Sequence, residues 1–421
     1  MYPTSNSFLK DMLLRKRFVF GKIKEKHWEE KSMIYSQFSD KKLSLLGFGC
    51  MRLPEKDGQV DVEQVEKMAA YGIAHGVNYF DTAYPYHGGM SERVMGHVLS
   101  KYPRESYYLA DKFPGHQVME SYDPAALFEE QLRRCKTDYF DFYLLHNVYE
   151  KSLETYLDPK WGILDYFREQ KRLGRIKHLG FSTHAQLETM KKILDLIGDD
   201  MEFCQIQLNY LDWTLQDGKQ KYELLTQRGI AIWVMEPVRG GKLANFTDDR
   251  LTALRPDAST ASWGFRFLQD LPNVKMILSG MSNEAQMHDN VHTFSEAWPL
   301  SENERQLLLD IAEGMKNVIP CTGCRYCCDG CPMGLDIPTM MSICSDIRFA
   351  PVVNSVMMLQ SAPEDKRPSA CVACGQCTQV CPQGIDIPAV MEELTERMAK
   401  IPQWADICAE REAMQKLNKD V

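Results

Sequence analysis

The chain has 421 residues, a net charge of -9, 44 % hydrophobic and 25 % charged residues, which leaves room for one domain of roughly 250 residues and a smaller one. No run approaches the roughly 18 uninterrupted apolar residues of a membrane span. The acidic balance does not supply the basic surface that phosphate neutralisation requires, so an integral membrane protein and a nucleic-acid binder are both disfavoured against a protein with small substrates or protein partners.

Residues 1–32 carry the basic stretch LRKRFVFGKIKEK with no apolar h-region and no small-residue cleavage site, so a secretory signal is not expected. They read as an N-terminal extension before a domain opening at Met33, with a basic helix on anionic lipid as the alternative. From Leu43 to Gly280 short apolar or β-branched runs alternate with amphipathic stretches, as in repeated βα units. Eight strands are predicted, at 42–51, 77–83, 106–112, 139–146, 177–183, 202–210, 230–237 and 274–280. Over about 240 residues this pattern predicts an α/β fold, a closed (β/α)8 barrel. An open doubly wound sheet would show GxGxxG at its first βα turn, and none stands there.

Barrel chemistry sits where the strands end. Asp81 closes the second predicted strand, Lys112 the third and His146 the fourth, and Tyr86 follows Asp81 in FDTAYPYHGGMSE. Each has a plain structural explanation, as a helix cap, a snorkelling lysine or a core histidine. Their coincidence at three consecutive strand ends points instead to a site. A tyrosine near pKa 10 is a slow proton donor or base at neutral pH. An ammonium beside it is expected to lower that pKa, with Asp81 holding Lys112 charged and His146 orienting a substrate oxygen.

Through LGFGCMRLP, GVNYFDTAYPY, LADKF, FYLLHN and IKHLGFST, residues 33–300 resemble the aldo-keto reductase family. The resemblance implies a catalytic tetrad of Asp81, Tyr86, Lys112 and His146, leaving Tyr84 to packing, and hydride transfer between NADP or NAD and a small-molecule carbonyl or alcohol. It also implies Gly49, Ser182 and Gln205 at the cofactor, the last two on the carboxamide, and Gly280, Ser282, Asn283, Gln286 and Asn290 at the adenosine phosphate. Where the family usually has a Lys and an Arg for a 2′-phosphate, Gly280 and Gln286 stand here. A charge-assisted contact is thus missing. Met235 stands where an aromatic usually stacks on nicotinamide. Arg239 with Gly240 and Gly241 is a candidate pyrophosphate cradle, or simply a turn.

The region 301–400 carries CTGCRYCCDGCP and CVACGQCTQVCP, two copies of CxxCxxCxxxCP. Cysteines at i, i+3 and i+6 wrap three corners of a 4Fe–4S cubane, and the fourth, before Pro, usually reaches the partner cluster. This pairs Cys321, Cys324 and Cys327 with Cys381, and Cys371, Cys374 and Cys377 with Cys331. Zinc has no use for the third cysteine, and disulfide scaffolds belong to small secreted chains; two 4Fe–4S clusters are expected, and thiolates that must stay reduced imply the cytoplasm. Both copies continue as CPMGLDIP and CPQGIDIP, a turn at Gly334 or Gly384 and a helix opened by Asp and Pro. The region resembles the α-helical ferredoxin fold. The polar loop 361–370 reads as a connector, with docking of a redox partner as its alternative, and 401–421 as a C-terminal tail.

Hydride moves two electrons together and a cubane moves one, so a mediator such as flavin is expected between them. The reading is therefore an aldo-keto-reductase-type enzyme coupled to or regulated by its clusters, with a flavoprotein or ferredoxin as a redox partner. The alternative is an electron-transfer protein or subunit whose barrel serves as a docking scaffold or redox sensor.

Overall fold

The computed structural model describes residues 32–401 apart from 118, 151, 216, 316–318, 350–358, 360 and 361. The basic stretch of the N-terminal extension and the tail beyond residue 401 lie outside the described residues. Eight parallel strands form one closed barrel: β1 (Leu46–Gly49), β2 (Tyr79–Asp81), β3 (Tyr108–Phe113), β4 (Phe140–Leu145), β5 (Ile176–Thr183), β6 (Phe203–Gln207), β7 (Ala231–Met235) and β8 (Val274–Ser279). Each neighbours the next in the chain, and β8 returns to β1 with Ile277 opposite Leu46 and Ser279 opposite Phe48.

All eight predicted strands are present. The first prediction, 42–51, covers two elements, because an apolar run carries no mark of the bend at Leu45. Lys41–Ser44 pairs antiparallel with Tyr35–Phe38 outside the barrel, and β1 begins only at Leu46. Phe38 on that hairpin packs on the inner core, its ring 4.9 Å from Trp233 and 5.9 Å from Phe142. Leu43, Tyr79, Ala110, Phe142, Leu144, Phe203, Ala231, Trp233, Met276 and Leu278 form this inner cluster, while Leu46, Phe80, Leu109, Leu145 and Ile277 join the helices in the outer one.

The period of two along a strand then fixes the site. Two residues on from inward Tyr79 stands Asp81, from Ala110 stands Lys112, from Leu144 stands His146, from Phe203 stands Gln205, and from Trp233 stands Met235. The polar residues form the next rung above an apolar filling.

After β8, helix α1 (Glu284–Ser295) and helix α2 (Glu302–Gly314) cover the barrel. The second opens with a capping box between Ser301 and Glu304 and buries Leu308, Ile311 and Ala312 in the outer core. The region beyond is helical. Its helices α3 (Ile337–Phe349) and α4 (Ile387–Met398) share a separate core rich in sulfur, with Met340, Met341, Cys327, Cys344, Cys377 and Met391 beside Ile343, Ile385 and Leu394. Asp386 caps α4, accepting from the Ala389 N–H at 3.3 Å, with Pro388 in the first turn. In the other copy Asp336 turns to the Thr339 hydroxyl and the Arg325 guanidinium. Among the described residues no helix is long and apolar enough to cross a membrane.

Candidate active site and cluster loops

Lys112 is 0 % exposed and Asp81 3 %. Lys112 Nζ donates to Asp81 Oδ1 at 2.5 Å and to the Thr82 carbonyl at 2.7 Å, and lies 4.9 Å from the centroid of the Tyr86 ring. Such a pair survives burial because the partner charge offsets desolvation. Burial raises the Asp81 carboxyl while the Lys112 charge pulls it back down. The edge of the Tyr86 ring meets His146 at 5.9 Å and 84°. Asp81, Lys112, Tyr86 and His146 therefore meet at one place.

The expected lowering of the Tyr86 pKa does not appear. Burial pushes the phenol well above its usual value, and the carboxylates of Asp81, Asp111 and Glu236 add to the shift. The ammonium is committed to Asp81, so the resting tyrosine keeps its proton. His146 is held well below the ordinary histidine range by burial and by His116, Lys112 and His184, and is a neutral imidazole at pH 7.

Tyr86 and Asp81 open on a pocket of about 570 Å³. Gly49, Gln205, Met235, Gly280, Ser282, Gln286 and Asn290 also line it. Gln205 Oε1 is buried without a hydrogen-bond partner, as a group waiting for a donor would be. Ser182 is off the wall, since its hydroxyl oxygen accepts from the Asn147 N–H at 2.8 Å. Asn283 instead caps α1 through the Gln286 N–H at 2.9 Å. Arg239 is no cradle. It is fully buried, its Nε 3.2 Å from Asp212 Oδ1, and its charge reaches the Cys321 thiol, which burial raises and Lys242 and Arg239 pull down. Gly240 and Gly241 do line the pocket.

Sequence reasoning missed several residues here. Arg52, after β1, lays its side-chain carbons within 3.3 Å of where a Gly280 side chain would begin. Its guanidinium donates to the Thr322 carbonyl at 2.7 Å and pairs with Glu236 at 3.3 Å. His184 and Glu236 stand just beyond β5 and β7, where the strand-end criterion would have found them. Thr322, Cys324 and Tyr326 belong to the first cysteine motif and yet line the same pocket. Gly240, with φ +64°, is required there: a Cβ on it would lie 2.5 Å from the Thr322 carbonyl. Gln383 donates to Gln207 Oε1 and meets His184 Nδ1, both at 3.1 Å, tying the second motif to the barrel as well.

The cysteines gather in two quartets. Cys321, Cys324, Cys327 and Cys381 surround one small cavity, and Cys331, Cys371, Cys374 and Cys377 another. Both cavities are otherwise walled mainly by Ile, Met, Leu, Val and Pro. Among the described residues no three Cys, His, Asp or Glu close on a single-ion site; the thiols ring a space instead. Four thiol donors around an apolar hollow fit a cubane, whose sulfur-rich cluster suits soft ligands and low polarity. The two loops share a backbone. Left-handed φ occurs at Gly323 (72°) and Arg325 (69°) in one, and at Ala373 (53°) and Gly375 (73°) in the other, then at Gly334 (59°) and Gly384 (61°).

Residues 45–313 match the model of the aldo/keto reductase family, and residues 314–394 that of the 4Fe-4S dicluster domain. The chain is similar to the uncharacterized oxidoreductase YqkF of Bacillus subtilis, 26 % identical over 64 % of this chain and 93 % of that one. It is also similar to L-galactose dehydrogenase of Arabidopsis thaliana, 24 % identical over 66 % and 93 %. The solved structure of aldo-keto reductase AKR11C1 from Bacillus halodurans, holo form, superposes with a TM-score of 0.54 at 26 % identity, over 66 % of this chain and 96 % of that one. With its barrel matched over almost the whole length of these proteins, the chain belongs to the aldo/keto reductase family and is an oxidoreductase, with a 4Fe-4S dicluster domain following the barrel.

Proposed function

We propose that the barrel transfers hydride between NAD(P)H and a small carbonyl or alcohol in the cytoplasm, with Tyr86 as proton donor and two 4Fe–4S clusters held beside the pocket. The observation that carries this reading is the buried Lys112–Asp81 pair beside Tyr86, with Asp81 and Tyr86 on the wall of a pocket that Gln286 and Asn290 also line. Nicotinamide, when bound, supplies or takes the hydride. Gln205 offers its free Oε1 to the carboxamide, and Ser282, Gln286 and Asn290 face the adenosine end. Among the described residues no cation stands free there, because Arg52 is engaged by Glu236 and Thr322, so NAD is accepted at least as well as NADP.

Tyr86, kept protonated by burial, gives its proton to the oxygen that becomes an alkoxide. Lys112 offsets the negative charge left on the phenol, and Asp81 holds Lys112 in place. Neutral His146 orients the carbonyl oxygen by a hydrogen bond. Clusters, when bound by the two quartets, exchange single electrons with a flavoprotein or ferredoxin partner.

Tyr86→Phe tests the reading in anaerobically purified protein. Carbonyl reduction should fall by about 10²–10⁴-fold while titration still shows nicotinamide binding. An unchanged rate sinks it.

A further inference from the structure

The loop after β7 brings Arg239 and Lys242 up to the first cysteine motif. Between them a Cβ on Gly240 would lie 2.5 Å from the Thr322 carbonyl. Lys242 Nζ donates at 3.2 Å to Ser345 Oγ, which accepts from the Ile319 N–H at 3.0 Å just ahead of that motif. From the other side a chain of polar contacts reaches the same arginine: Gln383 Nε2 to Gln207 Oε1 at 3.1 Å, Gln207 Nε2 to Asp212 Oδ2 at 2.7 Å, and Arg239 Nε to Asp212 Oδ1 at 3.2 Å. Thr322 and Gln383 both line the cavity of the first quartet, so Arg239 is tied to two of its walls. Arg239 is fully buried, and Nε, Nη1 and Nη2 make no hydrogen bond among the described residues. Asp212 is a shared counter-charge, since its other oxygen already accepts from Gln207 and Asn209. A buried guanidinium keeps its charge and is tolerated where negative charge offsets the lost water. Four thiolates on an iron–sulfur core bring such a charge. The Cys321 thiol registers both cations, which pull it down against burial. Glu236, whose charge reaches Cys324, is itself paired with Arg52.

The second quartet has different surroundings. Among the described residues no charged side chain lines its cavity. Lys366, which donates to the nearby Met333 carbonyl at 2.6 Å, is exposed, where water and salt screen its charge. Cys374 is exposed as well. A fixed cation stabilises the reduced cluster, the more negative of its two states, and so raises its potential. We propose that Arg239 and Lys242 form a cationic seat that sets the first cluster at the higher potential of the two, so that an electron entering at the exposed second quartet comes to rest beside the nicotinamide pocket, where Cys324 stands on the wall. The proposal rests on the two-cluster reading above. In the transfer the second cluster is oxidised by one electron and the first reduced by it. That electron comes from the one-electron partner, and no bond or proton changes place.

The test is a mediated redox titration of the full chain, purified anaerobically with its clusters, reduced with dithionite and followed by electron paramagnetic resonance. Two one-electron waves are expected. Arg239→Gln should move the upper wave alone, lowering the ratio of reduced to oxidised cluster at a fixed potential about ten-fold, which is ~59 mV for one electron. Arg239→Lys, which keeps the charge, should hold that wave near its original place. Lys242→Met, at a half-buried position, should shift the same wave in the same direction, and it decides the matter if Arg239→Gln loses its iron. A single wave in the unaltered protein overturns the proposal. So does an upper wave that stays put in both charge-removing variants at unchanged iron content, or a shift of the lower wave instead. Protein that holds iron and sulfide for fewer than two clusters overturns the two-cluster reading first, and the iron assay tells that failure apart from the others.

Discussion

The barrel and the cluster region solve the same problem with different materials. The barrel fills its interior with large carbon side chains, Trp233, Phe142, Phe203 and Tyr79, plugged from outside by Phe38, and a larger layer of aliphatic and aromatic residues lies under the helices. Among the described residues the core of the cluster region has sixteen buried side chains, three of them cysteines and three methionines. A barrel of this kind stands on burial alone; a region whose centre is thiols around hollows needs what the thiols hold. One half of the site therefore rests on a self-sufficient scaffold and the other on its inorganic chemistry. The difference is open to direct attack.

Removing the iron should have the largest effect. Anaerobic chelation, or Cys324→Ala with Cys374→Ala, should abolish the fold of the region beyond residue 319 while the barrel keeps its circular dichroism and near-ultraviolet tryptophan signal. Loss of both together would break the comparison. Lys112→Met comes next. It leaves Asp81 buried without its partner and should destabilise the barrel by about 3–5 kcal/mol, read from denaturant unfolding, as well as suppressing carbonyl reduction.

The seam between the regions is a smaller matter. Arg52→Ala removes the bond to Thr322 and unpairs Glu236, a carboxyl that burial already raises, and should cost about 1–3 kcal/mol, seen as earlier melting of the cluster region than of the barrel. The smallest effect concerns pH. Burial holds His116 down to about 4 and His184 to about 3, with His146 also well below its usual value. Their folded values are depressed, so the stability they carry is complete above the unfolded pKa of about 6.5 and is lost as pH falls through the folded values. Carbonyl reduction should accordingly show no histidine step between pH 8 and 6, and alcohol oxidation should rise with pH as the high phenol of Tyr86 begins to ionise.

The two regions also differed in how far their sequence could be read. Strands announce themselves as apolar runs, and the period of two carries a reader from Tyr79 to Asp81 or from Phe203 to Gln205. The cysteine spacing brings out three members of each quartet by local wrapping, and the fourth, before Pro, by its usual reach to the partner motif. Hidden were the contacts that join the cysteine loops to the barrel. Nothing near Thr322 tells that its carbonyl meets Arg52, or that Tyr326 closes a barrel pocket. Arg239 misled because two glycines beside it resemble a phosphate turn, whereas its own φ of 49° belongs to a chain that carries the guanidinium inward to Asp212. The phenol of Tyr86 misled for an energetic reason: its neighbour's charge was foreseen, its desolvation was not.

The matched left-handed turns of the cysteine loops have a last consequence. Glycine relieves such a turn, while another residue bears roughly 1–2 kcal/mol there. Each loop uses glycine at a different corner and tolerates strain at the other, at Arg325 in one copy and Ala373 in the other. Neither copy is thus the better template. Ala373→Gly should relax its loop without harm, whereas Arg325→Gly trades the same relief against the ion pair with Asp336. The two copies share one shape and reach it by different residues, as when two locksmiths file different teeth for one lock.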